Sequence, residues 1–91
     1  MYFEWDPEKA ELNLERHGVS FEEATTAFTD LMSLTTFDPA HSDDEDRFVL
    51  LGAARSGRLV VVVHTVRDDA IRIISARLAT RGERRQYEYE G

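Results

Sequence analysis

The chain has 91 residues and 42% apolar side chains, which fits one small folded domain and excludes an intrinsically disordered protein. It contains no cysteine, so a disulfide framework and a thiolate metal site are both excluded. The net charge of −7 argues against strong non-specific binding to nucleic acid. The first nine residues lack a basic segment followed by an apolar run, so we expect no secretion signal.

The charge is unevenly divided along the chain. Residues 1–46 hold 2 basic and 13 acidic side chains, whereas residues 47–91 hold 9 basic and 5 acidic ones. All nine bases of the second half are arginines, whose planar fork suits phosphate and carboxylate groups. Two interpretations are open: a solvated surface of mixed charge, or one face for an anion such as RNA with an acidic face turned away from it.

The first predicted helix follows a short aromatic segment, residues 2–5, which is compatible with an edge strand or a hydrophobic lead-in. Asp6 is a natural N-cap, Pro7 suits the first helical position, and Gly18 suits the left-handed residue that ends a helix after His17. Ala10 and Leu14 lie along its apolar stripe. Polar side chains recur at spacings of three and four and form a neighbouring row: Asp6, Lys9, Asn13, and Arg16 or His17. The simplest interpretation of that row is a solvated side of the helix.

A second helix is predicted after Val19. Ser20 and Glu23 form the S-x-x-E capping box, and we expect this helix to end near residue 29 or 30. Four side chains give its apolar face: Ala24, Ala27, Phe28 and Leu31. The two helices are too small to be stable without a sheet to pack on.

A strand over residues 32–37 is predicted to lead into an acidic loop, residues 38–46, which carries one proline and five carboxylates. Carboxylate oxygens suit Ca²⁺ or Mg²⁺, but the central glycine and terminal glutamate of a calcium-binding loop are missing. We therefore expect no metal site and no cofactor. An acidic loop can equally keep anionic ligands or wrong partners away.

Residues 59–78 form the centre of the chain. Two runs rich in β-branched residues, 59–66 and 71–78, flank a polar turn at 67–70 and predict an antiparallel hairpin. Residues 47–54 precede it as another strand, through a hairpin turn at Ser56 and Gly57. In the last run, alternation separates two sets of side chains: Ile71, Ile73 and Ser75 on one face, and Arg72, Ile74 and Ala76 on the other.

Residues 83–87 are compatible with a short C-terminal helix. Together the elements predict a single α+β domain over residues 1–91. It consists of a small twisted antiparallel sheet of about four strands, two N-terminal helices and the short C-terminal one. We expect the helices to pack on one face of the sheet, and any chemistry to lie beside the two central strands.

Several blocks of the sequence resemble the BrnT family, the toxins of BrnT/BrnA type II toxin–antitoxin systems. The matching residues run in order along nearly the whole chain: Phe3, Trp5, Asp6, Lys9 and Asn13; residues 17–24; Arg47, Gly52, residues 57–62, Thr65 and Arg67; residues 72–77; and Glu83, Arg84 and Tyr87. The W-D-x-x-K-x-x-x-N, H-G-V-S-F-E-E-A and R-I-I-S-A-R blocks are specific. Arg16 departs from the pattern, since many relatives carry lysine there.

The resemblance implies a RelE/ParE-like fold and a ribonuclease that inhibits translation. We expect the protein to be cytoplasmic, which the absence of cysteine fits. It implies a BrnA-like antitoxin with a DNA-binding, ribbon-helix-helix-type domain as partner. Two toxins and two antitoxins then form the complex, and operator DNA is bound only through the antitoxin. We expect no membrane to be involved.

RNA carries its own nucleophile, the 2′-hydroxyl. A nuclease without a metal needs a base for that proton, a cation for the phosphorane, and an acid for the leaving 5′-oxygen. We predict His64 and Glu83 as proton carriers and Arg67 and Arg77 as cations. The alternative for His64 is a core histidine. The alternative for Glu83 is an ion pair with Arg77 or Arg85. The alternative for Arg67 and Arg77 is a surface arginine or a salt bridge to Asp68 or Glu83.

Three further residues are predicted to bind RNA: Arg72, Arg84 and Tyr87. Tyr87 can stack on a base or donate a hydrogen bond, and its alternative role is to close the terminal helix on the sheet. Ser75 lacks the sequence context of a nucleophile, so we interpret it as structural.

Two other classes of function stay open from the sequence. One is a gyrase-type poison, because toxins that share this fold are not all nucleases. The other is a catalytically inactive module that binds the antitoxin. In either case we expect an antitoxin to cover exposed apolar surface and some of the arginines, for example with an acidic segment.

Overall fold

Five strands and three α-helices make up the described part of the chain, residues 2–41 and 45–90 of this computed structural model. The strands are β1 (Tyr2–Glu4), β2 (Leu34–Asp38), β3 (Arg47–Ala53), β4 (Leu59–Arg67) and β5 (Ala70–Leu78). The helices are α1 (Pro7–His17), α2 (Phe21–Thr26) and α3 (Arg81–Glu90). All five strands belong to one sheet with the order β1-β5-β4-β3-β2. The predicted α+β class is confirmed.

β4 and β5 form the predicted central hairpin. Arg67 pairs with Ala70, so the turn contains only Asp68 and Asp69 and is tighter than predicted. Asp68 adopts the left-handed conformation with φ 52°, which aspartate tolerates better than most residues. The β-branched run of β4 is almost wholly buried, as expected of a central strand.

A β-bulge interrupts β5. The register shifts between Val63 and His64 of β4, and the extra residue on β5 is Ile74. Residues beyond the bulge therefore change face, and Ile73 and Ala76 both point into the same core. The alternation predicted for this strand is wrong beyond Ile73, because a bulge leaves no trace in the hydrophobic pattern.

β1 pairs with β5 in parallel, with Tyr2 opposite Ala70 and Glu4 opposite Arg72. The sheet is therefore mixed and has five strands, whereas the sequence predicted an antiparallel sheet of about four. The edge strand that the aromatic segment allowed is therefore present, but its partner residues are 68 positions away, so no local pattern could reveal the parallel pairing.

α1 begins and ends where the sequence predicts. The Asp6 carboxylate accepts a hydrogen bond from the Glu8 N–H at 2.9 Å, which satisfies a free donor of the first turn. Gly18 adopts the left-handed conformation with φ 69°, and its N–H donates to the Leu14 carbonyl at 2.8 Å.

α2 is shorter than predicted, because a 3₁₀ turn, Ala27–Thr29, follows it directly. The Ser20 hydroxyl accepts the expected hydrogen bond from the Glu23 N–H at 3.0 Å. Only this half of the predicted capping box forms, since the Glu23 carboxylate pairs with Arg58. Leu31, predicted on the apolar face of α2, lies beyond the helix and is 98% exposed.

The helices cover both faces of the sheet. α1 and α2 pack on the face that includes Val60 and Val62, whereas Tyr87 of α3 packs with Leu51 and Val61 on the opposite face. The prediction that all helices share one face is therefore wrong for α3. Along β3 and β4, successive side chains point to opposite faces of the sheet. Because both sets of side chains are largely apolar, both faces can bury a helix.

Residues 42–44 of the predicted acidic loop lie outside the described residues. Within the described ranges, no group of three or more His, Cys, Asp or Glu side chains is placed to hold a metal ion. No helix of the same ranges is long and apolar enough to cross a membrane.

Candidate active site

α1 is attached to the sheet edge through a buried asparagine. β1 pairs with β5 only as far as Arg72, so the edge of β5 is free beyond it. The Asn13 side chain forms hydrogen bonds to the backbone of that free edge. Its amide nitrogen donates to the Ala76 carbonyl at 2.7 Å, and its amide oxygen accepts from the Ala76 N–H at 3.1 Å. The same nitrogen donates to the Val19 carbonyl at 2.9 Å. Asn13 is only 7% exposed, so these bonds satisfy buried groups and fix α1 against β5.

A cavity of about 460 Å³ lies between this helix and the sheet. We call it the α1 groove, and its lining residues come from α1 and from β3 and β5: Lys9, Leu12, Asn13, Arg16, His17, Arg47, Ile74 and Ser75. Three of these side chains are cationic, and one is an imidazole. None of the described residues that line the groove carries a carboxylate. The groove can therefore attract an anion and offers a proton-transfer group beside it.

Arginines continue from the α1 groove across the adjoining sheet face. Arg47 and Arg72 are both register partners of Thr65, so they lie on the two strands that flank β4. Arg67 lies two residues beyond Thr65 and points to the same face. We call Arg47, Arg67 and Arg72 the arginine cluster.

Among the described residues, Glu45 and Glu4 form ion pairs with members of the arginine cluster. The Arg67 guanidinium donates two hydrogen bonds to Glu45, from Nε to Oε2 at 2.9 Å and from Nη2 to Oε1 at 3.0 Å. Arg72 donates to Glu4 at 2.8 Å. Arg67 is therefore paired with Glu45 and not with Asp68, the partner considered from the sequence.

His64, predicted as a proton carrier, lies in the core with 5% of its surface exposed. Its ring packs against Phe28 and Phe48, at centroid distances of 4.8 and 5.9 Å. Its Nδ1 is 3.2 Å from the Val62 carbonyl oxygen. Burial lowers the pKa of His64, which favours the neutral imidazole. The geometry matches the alternative of a core histidine and gives no contact with the α1 groove.

Glu83, the other predicted proton carrier, forms an ion pair with Arg77. Arg77 donates from Nη1 and Nη2 to the two carboxylate oxygens, at 2.7 and 2.8 Å. Glu83 also accepts from the Thr80 N–H at 2.8 Å and thereby caps α3. The Arg77 guanidinium and these bonds hold the pKa of Glu83 at about 2. A carboxylate this acidic is a poor base at neutral pH.

Arg77 and Arg67 cannot hold the same phosphate. Arg67 lies at the turn of the hairpin, and Arg77 lies seven residues along β5 from the opposite residue, Ala70. That separation is about 20 Å at the rise of a strand. The predicted pair of cations is therefore split between the two ends of the hairpin, and only Arg67 lies in the arginine cluster.

The remaining predicted RNA-binding residues differ in their surroundings. Arg72 belongs to the arginine cluster. Tyr87 donates a hydrogen bond to the Asp30 carboxylate at 2.6 Å and packs on the sheet, which is its alternative role of closing the terminal helix. Arg84 is exposed on α3.

The sequence interpretation missed the α1 groove. Its signal was present in the polar row of α1, which contains Lys9, Asn13, Arg16 and His17, but that row was interpreted as a solvated side. What brings it against Arg47 is the pair of hydrogen bonds between Asn13 and Ala76, which spans 63 residues of chain. Spacing within one helix cannot reveal such a contact.

Comparison with known proteins gives a family and a fold. The family model described as "Ribonuclease toxin, BrnT, of type II toxin-antitoxin system" matches residues 5–83. Among solved structures, the 1.1 Å crystal structure of the Brucella abortus ribonuclease toxin BrnT is similar, with a TM-score of 0.65 and 23% identity over 89% of this chain and 99% of that chain. At this identity the likeness shows a shared fold. A search of curated proteins gave no match. Because the family model covers most of its length, the chain belongs to the BrnT family of ribonuclease toxins of type II toxin–antitoxin systems.

Proposed function

We propose that this ribonuclease toxin cleaves RNA in the α1 groove, without a metal ion and with His17 as a proton carrier. One observation carries the proposal: the groove combines an exposed imidazole with three cationic side chains. Lys9, Arg16 and Arg47 are suited to hold the scissile phosphate and to stabilise the charge of a phosphorane. Of the four catalytic residues predicted from the sequence, His64, Arg77 and Glu83 lie outside the groove, and Arg67 lies in the adjoining arginine cluster.

The cleavage needs no other reactant. The 2′-hydroxyl loses its proton to a base and its oxygen forms a new bond to phosphorus. The bond from phosphorus to the 5′-oxygen breaks, and that oxygen takes up a proton. The products are a 2′,3′-cyclic phosphate and a 5′-hydroxyl end. An imidazole can serve in either proton transfer, because histidine is the side chain most often used for this purpose.

The composition of the groove supports metal-independent cleavage. A divalent cation such as Mg²⁺ is held by carboxylate and carbonyl oxygens, whereas the described lining residues contribute cationic side chains and no carboxylate. In this arrangement lysine and arginine take the electrostatic role that a metal has in other nucleases.

RNA cleavage by His17→Ala tests the proposal, with the antitoxin removed and EDTA present. The expected loss of rate is about 100-fold or more, in the range found for general acid–base groups. His41→Ala is the matched control, since His41 is an exposed histidine that pairs with Asp38 outside the groove. Cleavage should persist in EDTA for the wild type and for the control. Cleavage that EDTA abolishes, or full activity in folded His17→Ala, contradicts the proposal.

The antitoxin partner that a type II system implies is, we propose, a BrnA-like DNA-binding protein in a cytoplasmic complex of two toxins and two antitoxins. Operator DNA is then bound through the antitoxin alone. Phe37 on the edge strand β2 is an exposed apolar side chain, and so are Leu31 and Met32 just before that strand. These side chains support a protein partner there. Light scattering of the co-expressed complex, followed by operator binding with and without antitoxin, tests the stoichiometry and the role of each chain.

A further inference from the structure

We propose that the arginine cluster is a second phosphate subsite, for the RNA phosphate that neighbours the scissile one, and that Glu45 holds it in the free protein until RNA replaces the carboxylate. The inference rests on the proposed function, because it takes RNA as the ligand. It adds to the α1 groove a site for a different phosphate of the same strand.

The contact between Glu45 and Arg67 has the geometry of anion recognition. Both carboxylate oxygens of Glu45 accept from the planar fork of Arg67, at 2.9 and 3.0 Å. Two parallel N–H···O bonds of this kind are also how arginine binds a phosphate group. The Glu45 carboxylate therefore marks a position at which a phosphate would find the same two donors.

The other two arginines of the cluster also act on that position. The pKa of Glu45 is lowered first by its hydrogen bonds to Arg67 and then by the charges of Arg47 and Arg72. Arg47 and Arg72 flank the buried Thr65 on neighbouring strands, so their Cα atoms are about 10 Å apart. Arg67 therefore bonds the Glu45 carboxylate directly, and the charges of Arg47 and Arg72 act on the same carboxylate.

The cluster adjoins the α1 groove through Arg47. This arginine lines the groove and also contributes to the field at Glu45. An RNA strand that enters the groove can therefore continue over the sheet towards Arg67, past the carboxylates of Glu4 and Glu45 that pair with the cluster. The proposed order along the strand is a scissile phosphate in the groove and its neighbour on the arginine cluster.

RNA can displace the carboxylate at small cost. The side chains of Arg67 and Glu45 are 48% and 34% exposed, and ion pairs with such access to water contribute little to stability. The RNA phosphate restores the two hydrogen bonds that Glu45 gives up. Glu45 therefore weakens RNA binding modestly and disfavours anions that make no other contact with the protein.

Binding of an RNA oligonucleotide with 2′-O-methyl groups tests the subsite, because this probe lacks the nucleophile and cannot be cleaved. Glu45→Gln removes the competing charge, and we expect it to bind about two- to fivefold more tightly. Asp46→Asn is the matched control, because it removes one exposed carboxylate from the adjacent position. We expect its effect to be clearly smaller. Arg67→Ala should weaken binding, and the gain from Glu45→Gln should be clearly smaller in that background, because only the charges of Arg47 and Arg72 then act on Glu45.

The outcomes separate this inference from the proposed function. Equal effects of Glu45→Gln and Asp46→Asn, or a gain from Glu45→Gln that is as large in Arg67→Ala as in the wild type, overturn the subsite. In both cases wild-type cleavage of unmodified RNA still reports on the proposed function. If the wild type and Glu45→Gln both fail to bind the probe, the subsite is overturned regardless of cleavage.

Discussion

His64 shows that a histidine on a central strand need not take part in catalysis. Its ring fills a space between Phe28 and Phe48 that an aromatic hydrocarbon could also fill. We predict that His64→Phe stays folded and cleaves RNA at a rate within about threefold of the wild type, because no proton transfer is lost. Cleavage of total RNA, with thermal unfolding as the check on folding, measures this. A large loss of cleavage in a folded variant contradicts it.

The same substitution changes the pH dependence of stability. Burial lowers the pKa of His64 in the folded protein, so the unfolded chain binds the proton more tightly. The stability from the neutral ring is present above the ordinary histidine pKa of about 6.5 and is lost as the pH falls below it. We expect His64→Phe to lose less stability than the wild type between pH 6.5 and 5. Urea unfolding at a series of pH values measures the difference, and parallel curves would contradict it.

At the scale of the element, Glu83 joins the start of α3 to the end of β5. Its pKa of about 2 lies below the ordinary value of 4.5, so its contribution is present above pH 4.5 and is lost as the pH falls towards 2. We predict that Glu83→Gln destabilises the protein by about 1–2 kcal/mol at pH 7, a figure reduced for solvent screening. The deficit should shrink as the pH falls below 4.5.

Urea unfolding of Glu83→Gln at pH 7 and pH 3 tests this contribution. Glu88→Gln is the matched control, because Glu88 is an exposed glutamate on the same helix. The control should behave as the wild type at both pH values. A deficit in Glu83→Gln that is as large at pH 3 as at pH 7 would show that the ion pair with Arg77 is not its source.

Elements defined by local signals are the ones that the sequence predicts well. The caps Asp6 and Gly18 lie within or next to α1, and the turn at Asp68 lies within its hairpin, so neighbouring residues suffice to locate them. The bulge at Ile74 depends on the partner strand, and β1 depends on residues 68 positions away. The α1 groove belongs to this second kind, because the bonds of Asn13 to β5 create it.

Over the whole molecule, positive and negative side chains are separated in space although the net charge is −7. Glutamates are exposed on α1 and α2, whereas cations line the α1 groove and the adjoining sheet face: Lys9, Arg16, Arg47, Arg67 and Arg72. A net charge of −7 lowers non-specific attraction to RNA, and the local positive field restores it at the site. The uneven charge of the two halves of the sequence predicts this separation only partly, because Lys9 and Arg16 come from the acidic half.

The salt dependence of RNA binding tests this division. Each phosphate neutralised on a single strand contributes about −0.7 to the slope of log K against log salt concentration. Up to five cations therefore predict a slope of about −2 to −3.5 for the 2′-O-methyl oligonucleotide. Arg47→Ala should reduce its magnitude by about 0.7, whereas Arg55→Ala should leave it unchanged, since Arg55 is exposed beyond the opposite end of β3. Equal reductions in the two variants would mean that RNA senses the overall charge of the protein and not the groove.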